Sequence, residues 1–298
     1  MRSLTWHLIM DDRPSLVAPS WSSVTAQTER ALACGALRSF DTVQSVIEDG
    51  GVRFLVRQAA NLARKEEASK LAAKSAADAA APWRDPFSPC EEALRVGDIG
   101  ARHFLLLNKF NVLDHHLLIV TNAFEPQDSL IDADDFAALF ACLARFDALG
   151  FYNGGTIAGS SQPHKHLQMV PLPLDGLSLP IEPFIDAAHR EAIFRVPEFR
   201  FDHAVTWLGD DASDACDMYR TLLDRIGVIR RDADPLPYNL LVTRRWMFAV
   251  PRTASHVEGV AVNALGFAGS LFVRDDAQRE VVQRLGPMEL LVRASRPA

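Results

Sequence analysis

The chain has 298 residues, a formal net charge of −7 and 48% hydrophobic residues. That length can bury a large core, and the composition is that of a globular protein, neither disordered nor embedded in a membrane. The net charge argues against a broad surface for nucleic acid or anionic membranes, because such surfaces need an excess of Lys and Arg on one face. A small polyphosphate ligand remains possible, because its binding needs only a few local donors.

The N-terminal segment and the cysteines are typical of a cytoplasmic protein. The apolar run over residues 4–10 is short and is followed by Asp11-Asp12-Arg13, which is unlike a signal peptide. No stretch of the sequence reaches the length of a membrane-spanning helix. The four cysteines form no CxxC pair, so the usual zinc and thioredoxin spacings are missing, and buried, reduced thiols are expected.

In chain order, the first predicted elements are a helix and a hairpin. The apolar spacing over residues 24–37 predicts a helix with a glycine near its end. Residues 40–47 and 52–56 predict two paired strands, because the glycines of Glu48-Asp49-Gly50-Gly51 can adopt positive φ in the turn. Residues 63–82 are rich in Lys, Glu, Ser and Ala and are interpreted as a solvated linker.

The centre of the chain predicts two apolar strands, at residues 103–107 and 117–121, joined by a polar turn. Acidic residues at 132–135, followed by apolar residues three and four apart, predict a helix. The elements predicted further along are strands at residues 238–242 and 246–250 and a helix at residues 275–285. Together they indicate a mixed α+β pattern.

Residues 151–163 form a segment rich in glycine and small hydroxyl side chains, directly before a run of histidines. Glycines let backbone N–H groups approach an anion closely, and Ser, Asn and Gln side chains add neutral donors. The segment therefore fits a phosphate-binding loop, although a Gly- and Ser-rich stretch taken alone is more often a simple turn.

The strongest chemical signal is the run Pro163-His164-Lys165-His166-Leu167-Gln168. Because alternate side chains of a β-strand share a face, His164, His166 and Gln168 are expected to project together, with Lys165 and Leu167 on the other face. An exposed strand with solvated histidines is the plain structural alternative. Metal ligation ranks lower, because no other histidine has a spacing that indicates a shared ion.

A histidine at position 166 suits phosphoryl chemistry. Neutral imidazole, with a reference pKa of about 6.5, is a nucleophile near pH 7, and its attack on phosphorus divides one displacement into two. Its second ring nitrogen is expected to donate to a backbone carbonyl or a neighbour, with His164 helping to position that network. Gln168, a neutral amide, is expected to donate to the phosphoryl oxygens without activating water, which favours transfer over hydrolysis.

The run SQPHKHLQ at residues 161–168 resembles the signature of the ATP adenylyltransferases, the diadenosine tetraphosphate (Ap4A) phosphorylases of the histidine-triad superfamily. The related hexose-1-phosphate uridylyltransferases usually have Pro and Gly where Lys165 and Leu167 stand, which counts against a uridylyl-hexose substrate. Other segments that resemble the family, in the same order, are residues 105–110 (LLLNKF), 117–121, 126–130, 238–246 (YNLLVTRRW) and 263–269.

The resemblance implies a reversible reaction in two steps. His166, the second histidine of the motif, is implied to attack the α-phosphate of Ap4A so that ATP leaves, after which inorganic phosphate takes the adenylyl group as ADP. A divalent cation, expected to be Mg²⁺, is implied to ride on the substrate phosphates without a protein metal site. His164 and Gln168 are implied to be catalytic as well. Substrate contacts are implied for Asn153, Gly159, Ser160, Ser161, Gln162 and Lys65.

The fold that the resemblance implies is α+β and histidine-triad-like, with a central antiparallel sheet that carries the histidine strand and helices packed on it. We treat residues 1–298 as a single adenylyltransferase unit with two halves, residues 1–175 and 176–298, whose independence the sequence leaves open. The expected partners are the nucleotides Ap4A, ATP and ADP together with phosphate, and neither nucleic acid nor a membrane. The oligomeric state is open.

Two other functions stay open on the sequence. One is a histidine-triad hydrolase that uses water as the acceptor, and the other is a nucleotide-binding sensor without turnover. Arg244, Arg245 and Arg252 could reach a substrate, but arginines at a hairpin tip are usually solvated, and we prefer that interpretation. Lys109, in the LNKF turn, is equally well explained as a solvated turn residue.

Overall fold

The computed structural model describes residues 16–59, 83–174, 179–188, 191–209 and 214–298. Fourteen strands lie within these ranges: β1 (Thr42–Asp49), β2 (Val52–Ala59), β3 (Arg95–Ile99), β4 (His103–Leu107), β5 (Leu117–Thr121), β6 (Ala148–Gly154), β7 (His166–Pro171), β8 (Ile193–Phe194), β9 (Ala204–Trp207), β10 (Tyr238–Val242), β11 (Trp246–Pro251), β12 (His256–Val257), β13 (Val260–Ala261) and β14 (Ser270–Val273).

A nine-stranded antiparallel sheet organises the described part of the chain. Its order is β3-β4-β5-β7-β6-β10-β11-β9-β8, and β6 pairs directly with β10, so strands from before and after residue 175 belong to one sheet. A three-stranded sheet, β1-β2-β14, and the β12-β13 hairpin accompany it. The sheet confirms the α+β architecture that was expected.

Seven helices lie in the described ranges: α1 (Trp21–Ala33), α2 (Ala133–Leu143), α3 (Glu182–Ala188), α4 (Ala215–Arg225), α5 (Ala264–Phe267), α6 (Asp276–Leu285) and α7 (Pro287–Ala294). Helix α2 begins at a capping box, in which the side chains of Asp132 and Asp135 each accept from the other residue's backbone N–H. Short 3-10 turns lie at Glu92–Leu94 and Thr156–Ala158. In the described part of the chain, no helix is long and apolar enough to cross a bilayer.

The nine-stranded sheet is buried on both faces, and alternate residues of its central strands enter two different cores. Tyr152 and Leu240 lie in the first core, which also holds residues of α1, α2 and α4. Phe151 and Leu241 lie in the second core, together with residues of β2, β14, α6 and α7. Full burial of one such large apolar side chain stabilises the fold by about 1.5–3 kcal/mol. The sheet is therefore a rigid platform for side chains at its surface.

Most predicted elements are present where the pattern placed them. The central strands and the strand pair beyond residue 237 agree with β4, β5, β10 and β11, and the three predicted helices agree with α1, α2 and α6. The hairpin is also found: β1 and β2 pair through Gly50 and Gly51, whose φ angles are 60° and 82°. The predicted linker, residues 63–82, lies outside the described residues.

Candidate active site

A cleft of about 890 Å³ lies beside the strands that carry the predicted site residues. Strands β7 and β6 are neighbours in the sheet, and their side chains His166, Gln168 and Asn153 line one wall of the cleft. The adjacent strand β5 contributes Leu118, and His116 lies directly before it. Segment 84–91 and the turn at residues 108–110 form other parts of the wall. The predicted residues that line the cleft are His166, Gln168, Asn153, Gly159, Ser161 and Gln162.

Three predicted residues are placed differently. Strand β7 begins at His166, so His164 precedes the strand, and the expectation that it projects with His166 and Gln168 into one site is wrong. Ser160 lines a second, adjoining cavity, and its hydroxyl donates to the Gln162 carbonyl over 2.9 Å. Lys65 lies outside the described residues.

The side chain of His164 is completely buried and is held from two sides. Its Nδ1 lies 2.7 Å from Oδ2 of Asp85, and its Nε2 lies 3.0 Å from the hydroxyl of Thr121. The ring also packs against Phe87 and Phe124. With the ring fixed in this way, the backbone carbonyl of His164 is fixed as well, and His164 is a positioning residue for its neighbour on β7.

His166 has the geometry of an aimed nucleophile. Its Nδ1–H donates to the His164 carbonyl over 2.8 Å, which fixes the tautomer. Within the described residues, no hydrogen bond engages Nε2, and His166 lines the cleft. Burial lowers the pKa of His166 to about 4, and the ring is therefore neutral near pH 7. A neutral, oriented imidazole is the form that can attack phosphorus.

Gln168 is oriented by a relay that begins at Asn108. The Asn108 amide lies 3.3 Å from Nδ1 of His116, and Nε2 of His116 lies 2.9 Å from Oε1 of Gln168. Burial lowers the pKa of His116 to about 4, so this ring is neutral and donates through one nitrogen only. Because the oxygen of Gln168 is occupied, its NH₂ group is left to donate into the cleft.

Asn153, on the neighbouring strand β6, is arranged in the same way. Its Oδ1 accepts from Nδ2 of Asn239 over 2.8 Å and from the backbone N–H of Ala264 over 3.0 Å. The NH₂ group of Asn153 is thus the free end of the amide. Two strands therefore present oriented donors beside His166, an arrangement that can stabilise developing negative charge on phosphoryl oxygens.

The glycine-rich loop closes against the segment before α5. Gly155 and Gly159 have φ angles of 90° and 97°, in the region that favours glycine. A Cβ atom on Gly159 would lie 2.8 Å from Cβ of Asn263, so a larger residue would displace the loop. Asn263 also lines the cleft, and its Oδ1 accepts from the N–H of Leu265. The close approach at Gly159 brings donors from both halves of the chain together.

Arg252 anchors this loop from behind, and the expectation that it is solvated is wrong. Its side chain is buried, and burial lowers its pKa to about 9. Its bonding partners are neutral oxygens: the carbonyls of Ala158, Ala254, Val262 and Ala294 and the side chain of Asn239. Since all five guanidinium donors are engaged, Arg252 acts on the cleft through the loop and not by direct contact.

The remaining basic residues behave largely as expected. Arg244 donates to the Leu143 carbonyl and Arg245 pairs with Glu182 and Asp186, and neither arginine lines the cleft. Lys109 lines the cleft at the turn after β4 and forms an exposed ion pair with Glu91.

Lys165, directly before β7, does not line the cleft, in agreement with the predicted alternation, and its side chain lies in a buried ionic cluster. Its Nζ is 2.5 Å from Asp135 and 3.3 Å from Glu125, and the side chains of Lys165 and Asp135 are 2% and 0% exposed. His103 contacts the same Asp135 carboxylate over 2.8 Å. The cluster connects the start of β7, the strand of His166, to the first turn of α2.

Several residues that shape the cleft were not identified from the sequence: Asp85, His116, Asn239 and Asn263. His116 and Asn239 stand beside or within segments that resemble the family, so a signal existed at the level of the segment. Their roles depend on contacts between strands, such as the contact between His116 and Gln168, which are 52 positions apart in the sequence. Local spacing does not encode such contacts.

Two family models match consecutive parts of this chain, and two yeast proteins are similar to it in sequence. The family model of the Ap4A phosphorylase N-terminal domain matches residues 14–187, and that of the ATP adenylyltransferase C-terminal domain matches residues 197–297. Diadenosine 5',5'''-P1,P4-tetraphosphate phosphorylase 2 of Saccharomyces cerevisiae is 29% identical over 269 residues, which cover 76% of this chain and 78% of the relative. Protein APA1 of the same yeast is 29% identical over 227 residues, or 64% of this chain and 69% of the relative.

Solved structures show the same fold. The crystal structure of yeast Ap4A phosphorylase Apa2 in complex with Ap4A has a TM-score of 0.79 at 23% identity, and the match covers 95% of this chain and 99% of that chain. The complex of Apa2 with AMP has a TM-score of 0.78 at 23% identity and covers 93% and 96% of the two chains. The histidine-triad-like fold predicted from the motif is thereby confirmed.

Proposed function

Because the chain belongs to the Ap4A phosphorylase and ATP adenylyltransferase family, we propose that it transfers the adenylyl group of Ap4A to inorganic phosphate, giving ATP and ADP. The yeast relative named as an Ap4A phosphorylase supports this reaction. The single observation that carries it is the neutral, oriented imidazole of His166, whose free Nε2 faces a cleft of polyphosphate size.

In the first step, Nε2 of His166 attacks the α-phosphorus of Ap4A. The N–P bond forms, the bond from phosphorus to the bridging oxygen breaks, and ATP leaves with the electron pair of that bond. The imidazole gains positive charge, which the hydrogen bond from Nδ1 to the His164 carbonyl stabilises. The NH₂ groups of Gln168 and Asn153 donate to the equatorial oxygens, where negative charge increases.

In the second step, an oxygen of inorganic phosphate attacks the adenylyl phosphorus, the N–P bond breaks, and ADP leaves with His166 neutral again. The group next to the nucleophile is an amide, which cannot remove a proton from water. Phosphate at neutral pH already carries nucleophilic oxygens and needs no base. Gln168 therefore favours phosphate over water as the acceptor, and this distinguishes the proposal from a hydrolase.

We propose that Mg²⁺ enters with the substrate phosphates and neutralises part of their charge. The carboxylates that line the cleft have other partners: Asp85 contacts His164, and Glu91 pairs with Lys109. The donors that face the substrate are neutral amides and hydroxyls. Neutral donors suffice for phosphate oxygens if a bound cation neutralises part of their negative charge. A cytoplasmic location is part of the proposal, since ATP, ADP and phosphate are all present there.

The test is to incubate the protein with Ap4A and Mg²⁺, with and without inorganic phosphate, and to resolve the products by chromatography. Equal amounts of ATP and ADP that require phosphate are expected. AMP formed without phosphate would instead identify a hydrolase, and binding of Ap4A without any product would identify a nucleotide sensor.

The variant His166→Asn keeps a polar side chain of similar size but lacks the nucleophile. We expect it to bind Ap4A with a dissociation constant within about threefold of the wild type and to lose turnover by at least about 10³-fold. Unchanged turnover in this variant would remove His166 from the mechanism. Mass spectrometry of the wild type mixed with Ap4A, without phosphate, should show an added adenylyl group that the variant lacks.

A further inference from the structure

Phe87 is the buried residue of a short, largely exposed stretch of the segment at residues 84–91. Its neighbours Pro86, Ser88 and Pro89 are exposed, whereas Phe87 is 9% exposed and lines the cleft. Phe87 also belongs to the first core. The segment therefore turns one large apolar side chain inward, beside the proposed nucleophile.

The ring of Phe87 packs against both histidines of the motif. Its centroid lies 5.6 Å from that of His164 and 5.4 Å from that of His166. The two histidines are 0% and 3% exposed. A phenyl ring has no hydrogen-bonding group, so Phe87 puts an apolar surface where His166 would otherwise contact water.

Asp85 fixes the position of this ring. Its Oδ1 accepts from the backbone N–H of Phe87 over 2.9 Å, and its Oδ2 lies 2.7 Å from Nδ1 of His164. Pro86 and Pro89 have φ angles fixed by their own rings, which limits how the segment can move. One carboxylate therefore ties the backbone at Phe87 to the ring of His164.

The apolar surroundings lower the basicity of His166. Burial is the largest influence on the pKa of His166 and lowers it to about 4, while the hydrogen bond to the His164 carbonyl raises it and the His164 ring lowers it. The other titratable side chains that line the cleft are Arg84, Asp85, Glu91, Lys109 and His116. Loss of contact with water thus has more effect on His166 than the neighbouring charges have.

We propose that Phe87 is a positioning residue that keeps water from the ring of His166 and thereby makes His166 a good leaving group when phosphate attacks. The inference rests on the proposed function, because it concerns the second step. In that step an oxygen of phosphate bonds to the adenylyl phosphorus, the N–P bond breaks, and Nε2 of His166 takes back its electron pair. A ring that binds a proton weakly also holds phosphorus weakly, which makes the transfer fast.

The two steps depend on Phe87 to different extents. In phosphoryl transfer the bond to the leaving group is largely broken in the transition state, and the bond to the nucleophile is only partly formed. The basicity of His166 therefore affects its departure in the second step more than its attack in the first. A role of Phe87 in packing alone would change neither this basicity nor the balance between the steps.

The variant Phe87→Val removes most of the ring and opens space for water beside His166. Phe136 on α2 is 2% exposed, belongs to the first core and does not line the cleft, so Phe136→Val is the matched control. An NMR titration of the histidine side chains follows His166, whose resonance is identified by its absence in His166→Asn. We expect a midpoint near pH 4 in the wild type and in Phe136→Val. In Phe87→Val the midpoint should rise by at least about one pH unit.

The kinetic test uses the adenylyl-enzyme, which is formed from Ap4A without phosphate, separated from ATP and then mixed with phosphate. Release of ADP should be at least about fivefold slower in Phe87→Val than in the wild type, whereas release of ATP in the first step should stay within about twofold. Phe87→Leu, which fills more of the space, should show the same changes to a smaller extent. Unfolding midpoints confirm that each variant is folded.

The outcomes are distinguishable. If the wild type forms neither an adenylyl-enzyme nor ADP, the proposed function itself fails, while the titration still shows whether Phe87 shields His166. If the midpoint of His166 is the same in the wild type and in the folded Phe87 variants, Phe87 does not keep water from the ring, and the inference fails. A raised midpoint without slower release of ADP would overturn it as well, and so would equal effects of Phe136→Val.

Discussion

Nε2 of His116 lies 2.9 Å from Oε1 of Gln168, and this contact determines which end of the Gln168 amide faces the substrate cleft. The two side chains come from adjacent strands, since His116 immediately precedes β5 and Gln168 lies on β7. Without a donor at position 116, the Gln168 amide could rotate and present its oxygen to the phosphates, where an acceptor is repelled.

Replacing His116 by Phe is expected to lower kcat for Ap4A phosphorolysis by about 10- to 100-fold, because it removes the donor that orients Gln168 in the transition state. The KM for Ap4A should change less than kcat. The conservative variant His116→Gln, whose amide can still donate, should recover most of the rate. Steady-state kinetics of both variants, with unfolding midpoints to confirm that both are folded, measure the effect. If kcat of His116→Phe equals that of the wild type, the relay has no role in the reaction.

The low pKa of His166 predicts an unusual acid limb in the pH profile. Burial lowers this pKa to about 4, and the neutral ring is the nucleophile, so activity is lost only as the pH falls toward 4. An unperturbed histidine, with a pKa of about 6.5, would lose most of its activity between pH 7 and 5. Single-turnover release of ATP from Ap4A, in the absence of phosphate, isolates this step. A midpoint near pH 6.5 would show that the ring is solvated in the working enzyme.

The lowered pKa values of His116 and His166 also predict how the free energy of unfolding changes with pH. In the unfolded chain His116 and His166 titrate near pH 6.5, whereas in the folded protein both have a pKa of about 4. Between these values the unfolded state binds more protons, so the free energy of unfolding falls as the pH is lowered from about 6.5 to about 4. Urea unfolding at a series of pH values measures this slope. A double variant, His116→Gln with His166→Asn, should reduce the slope through that window but not abolish it, because burial also lowers the pKa of His203 to about 4.

The assignment of His166 as the nucleophile came from local sequence and from the resemblance of its motif to the family, in which the second histidine has this role, and it remains a prediction. His166 and Gln168 on β7 line the cleft, whereas Lys165, directly before the strand, does not, and the glycines before the motif allow a close approach to phosphate. The central strands and helix α2 followed from apolar runs and an acidic cap, which are also local properties. These features do not depend on which segments become neighbours in the fold.

The positions of His164 and Arg252 were predicted wrongly because they depend on contacts between segments that are distant in the sequence. His164 alternates with His166 in sequence, but β7 begins only at His166, and the ring of His164 turns toward Asp85, 79 residues away. Arg252 was expected in solvent because it follows a hairpin, yet it is buried and donates to the carbonyls of Ala158, Val262 and Ala294, which belong to three other segments. The burial of Arg252 depends on the tertiary structure, and the residues next to it in the sequence do not predict it.

Arg252→Lys should weaken both the fold and the binding of phosphates. Lysine has three donors in place of five, so at least two buried oxygens lose a partner, at about 1–3 kcal/mol each. One of them can be the carbonyl of Ala158, which lies next to Gly159 in the loop at the cleft. We expect the free energy of unfolding to fall by about 2–4 kcal/mol and the KM for Ap4A to rise. Arg245→Lys, at an exposed ion pair, is the control and should change stability by less than about 0.5 kcal/mol. Equal effects of the two variants would contradict the anchoring role.

The last prediction concerns the stability of the buried ion pair between Lys165 and Asp135, next to His166. Burial tends to raise the pKa of Asp135, but the contact with His103 and the charge of Lys165 outweigh that effect and hold the pKa below its usual value. Asp135 is therefore ionised, and Lys165→Met leaves its carboxylate buried without its main counter-charge. We expect the free energy of unfolding to fall by about 3–5 kcal/mol.

Adding Asp135→Asn to Lys165→Met should recover part of that loss, because the double variant no longer buries an unpaired charge and the amide can still cap α2. The coupling energy from the double-mutant cycle is expected to exceed about 1 kcal/mol. Arg279→Met, which removes the partner of the exposed Asp276 on α6, is the control and should cost less than about 1 kcal/mol. If the two substitutions in the cluster prove additive, Lys165 and Asp135 act independently, and the attachment of β7 to α2 must come from apolar packing alone. A coupling energy above about 1 kcal/mol would show that the ion pair of Lys165 with Asp135 attaches the start of β7, and thereby His166, to α2.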